Sequence, residues 1–292
     1  MSLAAASQKH MRMRKRKDAI FKVLCFFAAG LGVLLLVLFL YKIVTDGLVR
    51  LSWTFIVSNL SSRPQRTGIW PAIIGSTYVM TLTGIIAVPM GVGAAVYLQE
   101  FNTRKNRLTE FIQLNIANLA GVPSIVYGML GLAVFVRWMA LKESIISGAL
   151  TMSLLILPMV IIITQEALKA VPRGYRDGSL ALGSTTWQAI RYQVLPAAAP
   201  GILTGIILSI SRAIGETAPL IVVGAAAYVS SLPHGVGDRY TVLPIKIFDW
   251  AGEAKRGFNE DAATAILVLM VALLVLNSIA IYLRSRSRSK AK

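Results

Sequence analysis

The stretch EALKAVPRGYRDGSLALGSTTWQAIRYQVLP, residues 166–196, joins two long apolar runs and determines how this chain is arranged. It is too charged to cross a membrane and too apolar to be a flexible linker. From Arg176 to Val194 its apolar residues recur every three or four positions, which predicts amphipathic helix interrupted at Gly183. Glycine permits a turn there, and the threonines before Trp187 can cap a second short helix. Because water should not meet the apolar face, we expect a partner protein to cover it.

Outward from this stretch, the sequence contains six apolar runs of bilayer length, about 20 residues or more. Hydrophobic residues make up 55% of the 292-residue chain and charged residues 15%, and the mean hydropathy is +0.66. Soluble domains carry about 25% charged residues, so this composition is typical of a membrane protein. We predict an all-α, polytopic membrane protein with six transmembrane helices, in the runs 20–44, 72–98, 112–138, 145–165, 196–226 and 262–283.

Basic residues are concentrated in the connections on one side of these runs. If both termini are cytoplasmic, the inside connections carry 18 Lys and Arg residues and the outside connections carry nine. This asymmetry matches the positive-inside rule. The first run is too long for the apolar part of a signal peptide and no A-x-A cleavage pattern follows it, so it predicts a retained helix. We interpret the basic tails as topology signals that contact anionic lipid, and not as a nucleic-acid site.

The sequence SISRAIGETAPLIVV, residues 209–223, places Arg212 and Glu216 one helical turn apart inside the fifth run. A charge in hydrocarbon costs about 2.5–3.5 kcal/mol on the insertion scales, so the two residues must be paired or face a polar path. On a helix they share one stripe with Pro219, which predicts a kink beside them. One interpretation is an ion pair that locks helix packing. The other, which we favour, is an anion path through Arg212, with Glu216 holding the arginine when no anion is present.

The second and third runs are rich in glycine, proline and small polar residues. In membranes such residues permit close helix packing, and broken helices line cavities, so the pattern favours a bundle around a path.

Cys25 is the single cysteine, and the two histidines, His10 and His234, are far apart, which argues against a disulfide, a metal site and an intramembrane enzyme. The chain also lacks the G-x-x-x-x-G-K-[ST] pattern of ATP-hydrolysing proteins. A gradient-driven secondary transporter stays an alternative, but it would give residues 166–196 no purpose.

That loop resembles a segment of the ABC importer permeases, whose pattern is E-A-A-x3-G-x9-I-x-L-P. The glycine and the L-P pair match at the same spacing, and the letters D-G-S stand in the E-A-A places, where the first keeps its acidic character. In the family, this loop docks onto an ATPase subunit and transmits its closure to the membrane spans. The resemblance implies an ATPase coupling loop over residues 166–195, with Asp177, Gly178, Ser179, Gly183, Leu195 and Pro196 in the motif positions.

Further segments resemble the phosphate-specific group of these permeases, and in particular its PstA type. The resemblance covers about residues 70–283 and implies the type I ABC importer permease architecture. It assigns Arg212 and Glu216 to the path of inorganic phosphate. Sulfate or molybdate in the same architecture is the alternative that the two charges leave open. The segments are GVPSIVYG (121–128), SRAIGETAPL (211–220) and LPIKIFDWA (243–251).

The resemblance also implies partners and a location. These are a second permease subunit of the PstC type, two ATPase subunits that bind ATP and Mg, and an external phosphate-binding protein. The chain itself would be a transport subunit without a cofactor, multi-pass in a bacterial or archaeal plasma membrane, with both termini cytoplasmic. The expected organisation is a basic cytoplasmic tail (1–19), the first transmembrane helix and an outside loop (20–70), the permease core (71–283) and a second basic tail (284–292).

Overall fold

A computed structural model describes residues 3–101, 107–225, 229 and 232–289. Within these ranges the secondary structure is helical, and no β-strand occurs. Short π-helical segments extend α3 (Tyr97–Phe101), extend α5 (Leu132–Trp138) and precede α9 (Ile190–Val194). The helices are α1 Leu3–Leu48, α2 Trp53–Val57, α3 Trp70–Val96, α4 Arg107–Ala120, α5 Ser124–Gly131, α6 Ile145–Lys169, α7 Arg173–Ala181, α8 Thr186–Ala189, α9 Leu195–Ile214, α10 Ala218–Val223, α11 Leu243–Gly252 and α12 Arg256–Ser289.

The predicted fold class is confirmed, with differences in how two of the spans are built. Among the described residues, five helical segments are long and apolar enough to cross a membrane, and α4 with α5 makes a sixth span if this bent pair counts as one. The ends of the first and last helices extend into the two basic tails, since α1 begins at Leu3 and α12 ends at Ser289. The last residues of the second tail, 290–292, lie outside the described residues.

The third predicted span, 112–138, is not one straight helix, because α4 and the α5 segment meet at an angle of 101°. The N–H of Gly121 bonds to the carbonyl of Asn118 at 3.0 Å, which ends α4 in a tight turn. Pro123 then precedes α5 in an extended conformation with φ −55° and ψ 135°. Proline has no N–H to donate and disfavours helix at the residue before it, so the bend lies where the sequence reads G-V-P.

The fifth predicted span, 196–226, begins earlier and is broken before its end. Its helix runs unbroken from Thr186 to Ile214, so it includes residues of the predicted loop 166–195. A π-helical bond from the Leu195 N–H to the Ile190 carbonyl adjusts the backbone directly before Pro196. The predicted kink at Pro219 is instead a break at 215–217, after which a new helix carries Pro219 in its first turn. Residue 226, at the end of the predicted run, lies outside the described residues.

The core lies between α3, α6 and α9. Val79, Met152, Val160 and Val194 are completely or almost completely buried there. The first helix packs on α12, where the Thr264 hydroxyl donates to the Gly47 carbonyl at 2.9 Å. Most of its apolar side chains face outward, as expected of a helix surrounded by lipid.

The connections gather at two opposite faces of the helix bundle. At one face, the end of α3 meets α7 and α8. At the other face, Arg50 pairs with the buried Asp261 at 3.1 Å, and the Ile145 N–H bonds to the Asp238 carbonyl at 3.2 Å. A second core, which includes Phe55, Trp250 and further apolar residues, holds this second face together. The predicted inside and outside connections are thus separated in space.

Candidate functional site

The two helix breaks, at 121–123 and 215–217, border one cleft of about 220 Å³. Because a water molecule occupies about 30 Å³ in the liquid, the cleft has room for a small anion with water around it. Its walls come from the α4–α5 bend, from α6 and from the end of α9. The lining residues are Leu119, Ala120, Gly121, Val122, Pro123, Ser124, Tyr127, Leu155, Ile156, Met159, Ser209, Arg212, Ala213 and Glu216.

Arg212 lies in the last turn of α9 and reaches into this cleft. Its Nη1 atom lies 3.7 Å from the Met159 sulfur, which is a weak acceptor. Among the residues that the structure describes, no carboxylate forms an ion pair with Arg212. Its side chain is exposed in the isolated chain. The guanidinium therefore keeps donors that an oxyanion can accept in a planar, forked geometry.

Glu216 lies in the break between α9 and α10, where its own N–H bonds to the Ala213 carbonyl at 3.1 Å. It lines the same cleft as Arg212 but does not share a helix with it. The predicted stripe of Arg212, Glu216 and Pro219 along one helix is therefore wrong, because the helix ends at Ile214. Glu216 and Arg212 thus line one cleft but do not form an ion pair with each other.

Two residues that the sequence did not single out shape the cleft. The buried Tyr127 donates its hydroxyl proton to the Leu119 carbonyl at 2.8 Å, which ties α5 to the end of α4 across the bend. A Cβ atom at Gly128 would lie 2.8 Å from the Cα of Pro219, so glycine allows α5 and α10 to touch. The proline in GVPSIVYG indicated a bend, but the residue pattern of this segment did not predict the contacts of Tyr127 and Gly128.

The predicted coupling loop contains a turn between two helical segments, but only α7 is a separate short helix, because α8 is the first turn of the helix that runs from Thr186 to Ile214. Helix α7 carries Asp177, Gly178 and Ser179, and Gly183 makes the turn with φ +85°. Thr185 caps α8 through a capping box, in which its hydroxyl accepts from the Gln188 N–H and the Gln188 side chain accepts from the Thr185 N–H. The other two motif residues are at the start of α9, where Leu195 is half-buried and Pro196 is exposed.

Part of the apolar face of this loop is buried in the chain's own core, and the rest is exposed to solvent. Ile190 and Val194 are buried, whereas Leu180 and Trp187 are half exposed and Leu182 is 89% exposed. Leu182 and Trp187 thus leave apolar surface exposed on the loop, which favours contact with a partner protein.

A larger cavity, about 840 Å³, lies at the opposite face, and its lining combines aromatic residues with charged and small polar ones, among them Ser61, Glu253 and Lys255. Lys246 and Asp249, on α11, also line it and form an ion pair at 3.7 Å. Burial lowers the pKa of Lys246 and raises the pKa of Asp249, while the ion pair opposes both shifts. This face therefore has mixed charge and is distinct from the cleft at Arg212.

Comparison with known proteins gives relatives that cover most of the chain. It is 31% identical over 271 residues to the phosphate transport system permease protein PstA of Pasteurella multocida (strain Pm70), covering 93% of this chain and 95% of that protein. It is 37% identical over 194 residues to the probable ABC transporter permease protein YqgI of Bacillus subtilis (strain 168). That alignment covers 66% of this chain and 65% of YqgI, just under two thirds of the relative.

The fold has counterparts among solved transporters. A chain of the MetNI methionine ABC transporter, in an inward-facing conformation, aligns with a TM-score of 0.55 at 18% identity. The alignment covers 80% of this chain and 100% of that one. The family of binding-protein-dependent transport system inner membrane components matches residues 87–289, which include the bend, the coupling loop and the cleft. This chain therefore belongs to the family of binding-protein-dependent transport system inner membrane components, and it is a multi-pass protein of the inner membrane.

Proposed function

We propose that this chain is a permease subunit of an ATP-driven importer, and that inorganic phosphate passes Arg212 on its way into the cytoplasm. The observation that carries the proposal is that Arg212 lies in a cleft between two broken spans and pairs with no carboxylate among the residues that the structure describes. The relatives favour phosphate as the anion, because a protein 31% identical over nearly the whole chain is named a phosphate transport permease.

Arg212 and Glu216 have separate parts in this proposal. The guanidinium binds the oxyanion through charge-assisted hydrogen bonds, which are stronger than neutral ones. A single arginine gives a weak site, and weak binding suits a path because a tightly held anion would not leave. Glu216 lies at the same cleft and attracts the guanidinium when the anion has moved on.

The energy comes from partner subunits. Two ATPase subunits bind ATP and Mg, and their closure moves α7 and the exposed apolar residues beside it. Asp177, Gly178, Ser179, Gly183, Leu195 and Pro196 contribute to this coupling contact. A second permease subunit of the PstC type completes the path, and an external phosphate-binding protein delivers the anion at the opposite face. This chain is a transport subunit and not an enzyme.

The test is uptake of labelled phosphate by the complex reconstituted in vesicles, driven by ATP, with sulfate and molybdate as unlabelled competitors. Arg212→Gln keeps a side chain of similar length but removes the charge. We expect the complex to assemble and uptake to fall by roughly 10- to 100-fold, the equivalent of a lost hydrogen bond to a charged group. Arg137→Gln, in an exposed position outside the cleft, is the matched control and should keep wild-type uptake.

Two results would contradict the proposal. Normal phosphate uptake by Arg212→Gln would remove this residue from the path. Competition by sulfate or molybdate at phosphate-like concentrations would keep the permease architecture but show that the path is not specific for phosphate.

A further inference from the structure

A partly buried ion pair connects the coupling loop to the end of the second membrane span. Arg176, on α7, donates from Nε to Glu100 Oε2 at 2.8 Å and from Nη2 to Glu100 Oε1 at 2.5 Å. The Glu100 side chain is only 6% exposed and the Arg176 side chain 21%. Such a forked pair fixes the orientation of both groups, which a single hydrogen bond does not.

The same guanidinium also binds the end of the fourth span. Nη2 donates to the Leu168 carbonyl and Nη1 to the Val171 carbonyl, both at 2.9 Å. Leu168 belongs to the last turn of α6, where carbonyl groups lack partners within the helix. One arginine side chain therefore joins α7 to the ends of α3 and α6.

Helix α7 contacts α8 and the segment Ile190–Val194 of the fifth span, and Arg176 is its hydrogen-bonded connection to α3 and α6. Across Arg173–Ala181, all of which the structure describes, no residue is fully buried. Arg176 is half-buried and provides the hydrogen bonds to the neighbouring spans. On the other side of the Gly183 turn, the Trp187 ring lies 6.3 Å from the Phe101 ring, centre to centre. Glu100 and Phe101 thus contact the loop on both sides of the Gly183 turn.

We propose that Arg176 and Glu100 form the link through which movement of α7 reaches the second and fourth spans. Arg176 is then a positioning residue: it touches neither the anion nor ATP, but it makes α7 move together with α3 and α6. Without the link, α7 can follow the ATPase subunits while the spans stay in place, so ATP is hydrolysed without import. This inference rests on the proposed function, because it needs an ATPase partner at α7.

The test measures phosphate imported per ATP hydrolysed, in the reconstituted complex of all subunits. Glu100→Gln removes the negative charge and keeps the size of the side chain. Arg176→Gln removes the guanidinium, and the double variant removes both groups. We expect each single variant to lower the ratio at least fivefold while ATP hydrolysis continues. The double variant should be no worse than the more severe single variant, since the two residues form one link.

The matched control is Glu143→Gln, which breaks an exposed ion pair with Arg239 (2.9 Å) at the opposite face and should keep the wild-type ratio. If Glu100→Gln does not assemble, Arg176→Lys serves instead, because it keeps the charge but loses the fork. The lysine variant should give an intermediate ratio. A purely structural role would lower the amount of complex and leave the ratio per complex unchanged.

Assembled variants that import phosphate at the wild-type ratio would overturn the inference and leave the proposed function intact. If the wild-type complex imports a different oxyanion, the proposed substrate is wrong. The ratio is then measured with that anion, and a fivefold loss in the variants still supports the link.

Discussion

At the scale of single residues, the position of Arg212 explains how a charge can lie within a membrane span. It occupies the last turn of α9, and a cation at the carboxyl end of a helix is stabilised by the helix dipole. The cleft at the two breaks gives its polar atoms access to water and solute. The helix end and the cleft thus favour the charge, although Arg212 forms no ion pair with a carboxylate among the residues that the structure describes.

Tyr127 gives a test of the cleft at this scale. Tyr127→Phe removes the hydroxyl that donates to the Leu119 carbonyl but keeps the ring in place. We expect the free energy of unfolding to fall by about 0.5–1.5 kcal/mol, the typical worth of such a bond. The measurement is thermal unfolding of the purified complex in detergent.

Tyr78→Phe is the control for that substitution, because Tyr78 is 45% exposed and its hydroxyl bonds to no residue that the structure describes. It should leave the unfolding temperature unchanged. Equal unfolding temperatures for the two variants would mean that the bend at 121–123 does not depend on the tyrosine.

At the scale of elements, the coupling loop is specified by its turn. Gly183 adopts a left-handed conformation, which other residues adopt at a cost of about 1–2 kcal/mol. The turn sets the direction of α7 relative to α8, and through α8 relative to the whole fifth span. The angle at which an ATPase partner meets the chain therefore depends on this one backbone position.

Gly183→Ala should make the loop open more often. We expect hydrogen exchange of the amides in α7 and α8 to accelerate by about 5- to 30-fold, which corresponds to the conformational cost of about 1–2 kcal/mol. Hydrogen exchange followed by mass spectrometry measures this. Gly174→Ala, on α7 with no positive φ and nothing within 4 Å of an added Cβ, should not accelerate exchange. Similar exchange in both variants would show that the turn does not limit opening.

At the scale of the whole molecule, the connections between the helices lie at two opposite faces, which can be compared with the predicted orientation in the membrane. The face with α7 and α8 corresponds to the inside connections predicted from the basic residues, and the face with α11 corresponds to the outside. The exposed Cys25 is the single cysteine, so Cys25→Ser gives a background for site-specific labelling.

We expect a cysteine at Val236 to react with a membrane-impermeant maleimide in intact cells. A cysteine at Leu182 should react only after the membrane is opened, because the predicted orientation puts α7 and α8 on the cytoplasmic side. Both positions are exposed in the isolated chain, at 45% and 89%. The reverse labelling pattern would place both termini outside the cell.

Local sequence determined the parts of this protein that depend on neighbouring residues. Apolar run length predicted the spans, and Gly183 with Thr185 predicted the turn and the helix start that follows it. These features follow from helix periodicity, side-chain capping and backbone freedom, which act over a few residues. The orientation indicated by the distribution of basic residues stays a prediction.

Only the tertiary structure decided which distant residues meet. Arg176 and Glu100 are 76 positions apart, and no periodicity in either segment specifies that they form a pair. The 101° bend, the helix that continues past Pro196 and the cleft that unites the two breaks likewise depend on how helices pack against α6. Packing depends on which faces of several helices fit together, and a single helix pattern does not identify its partner.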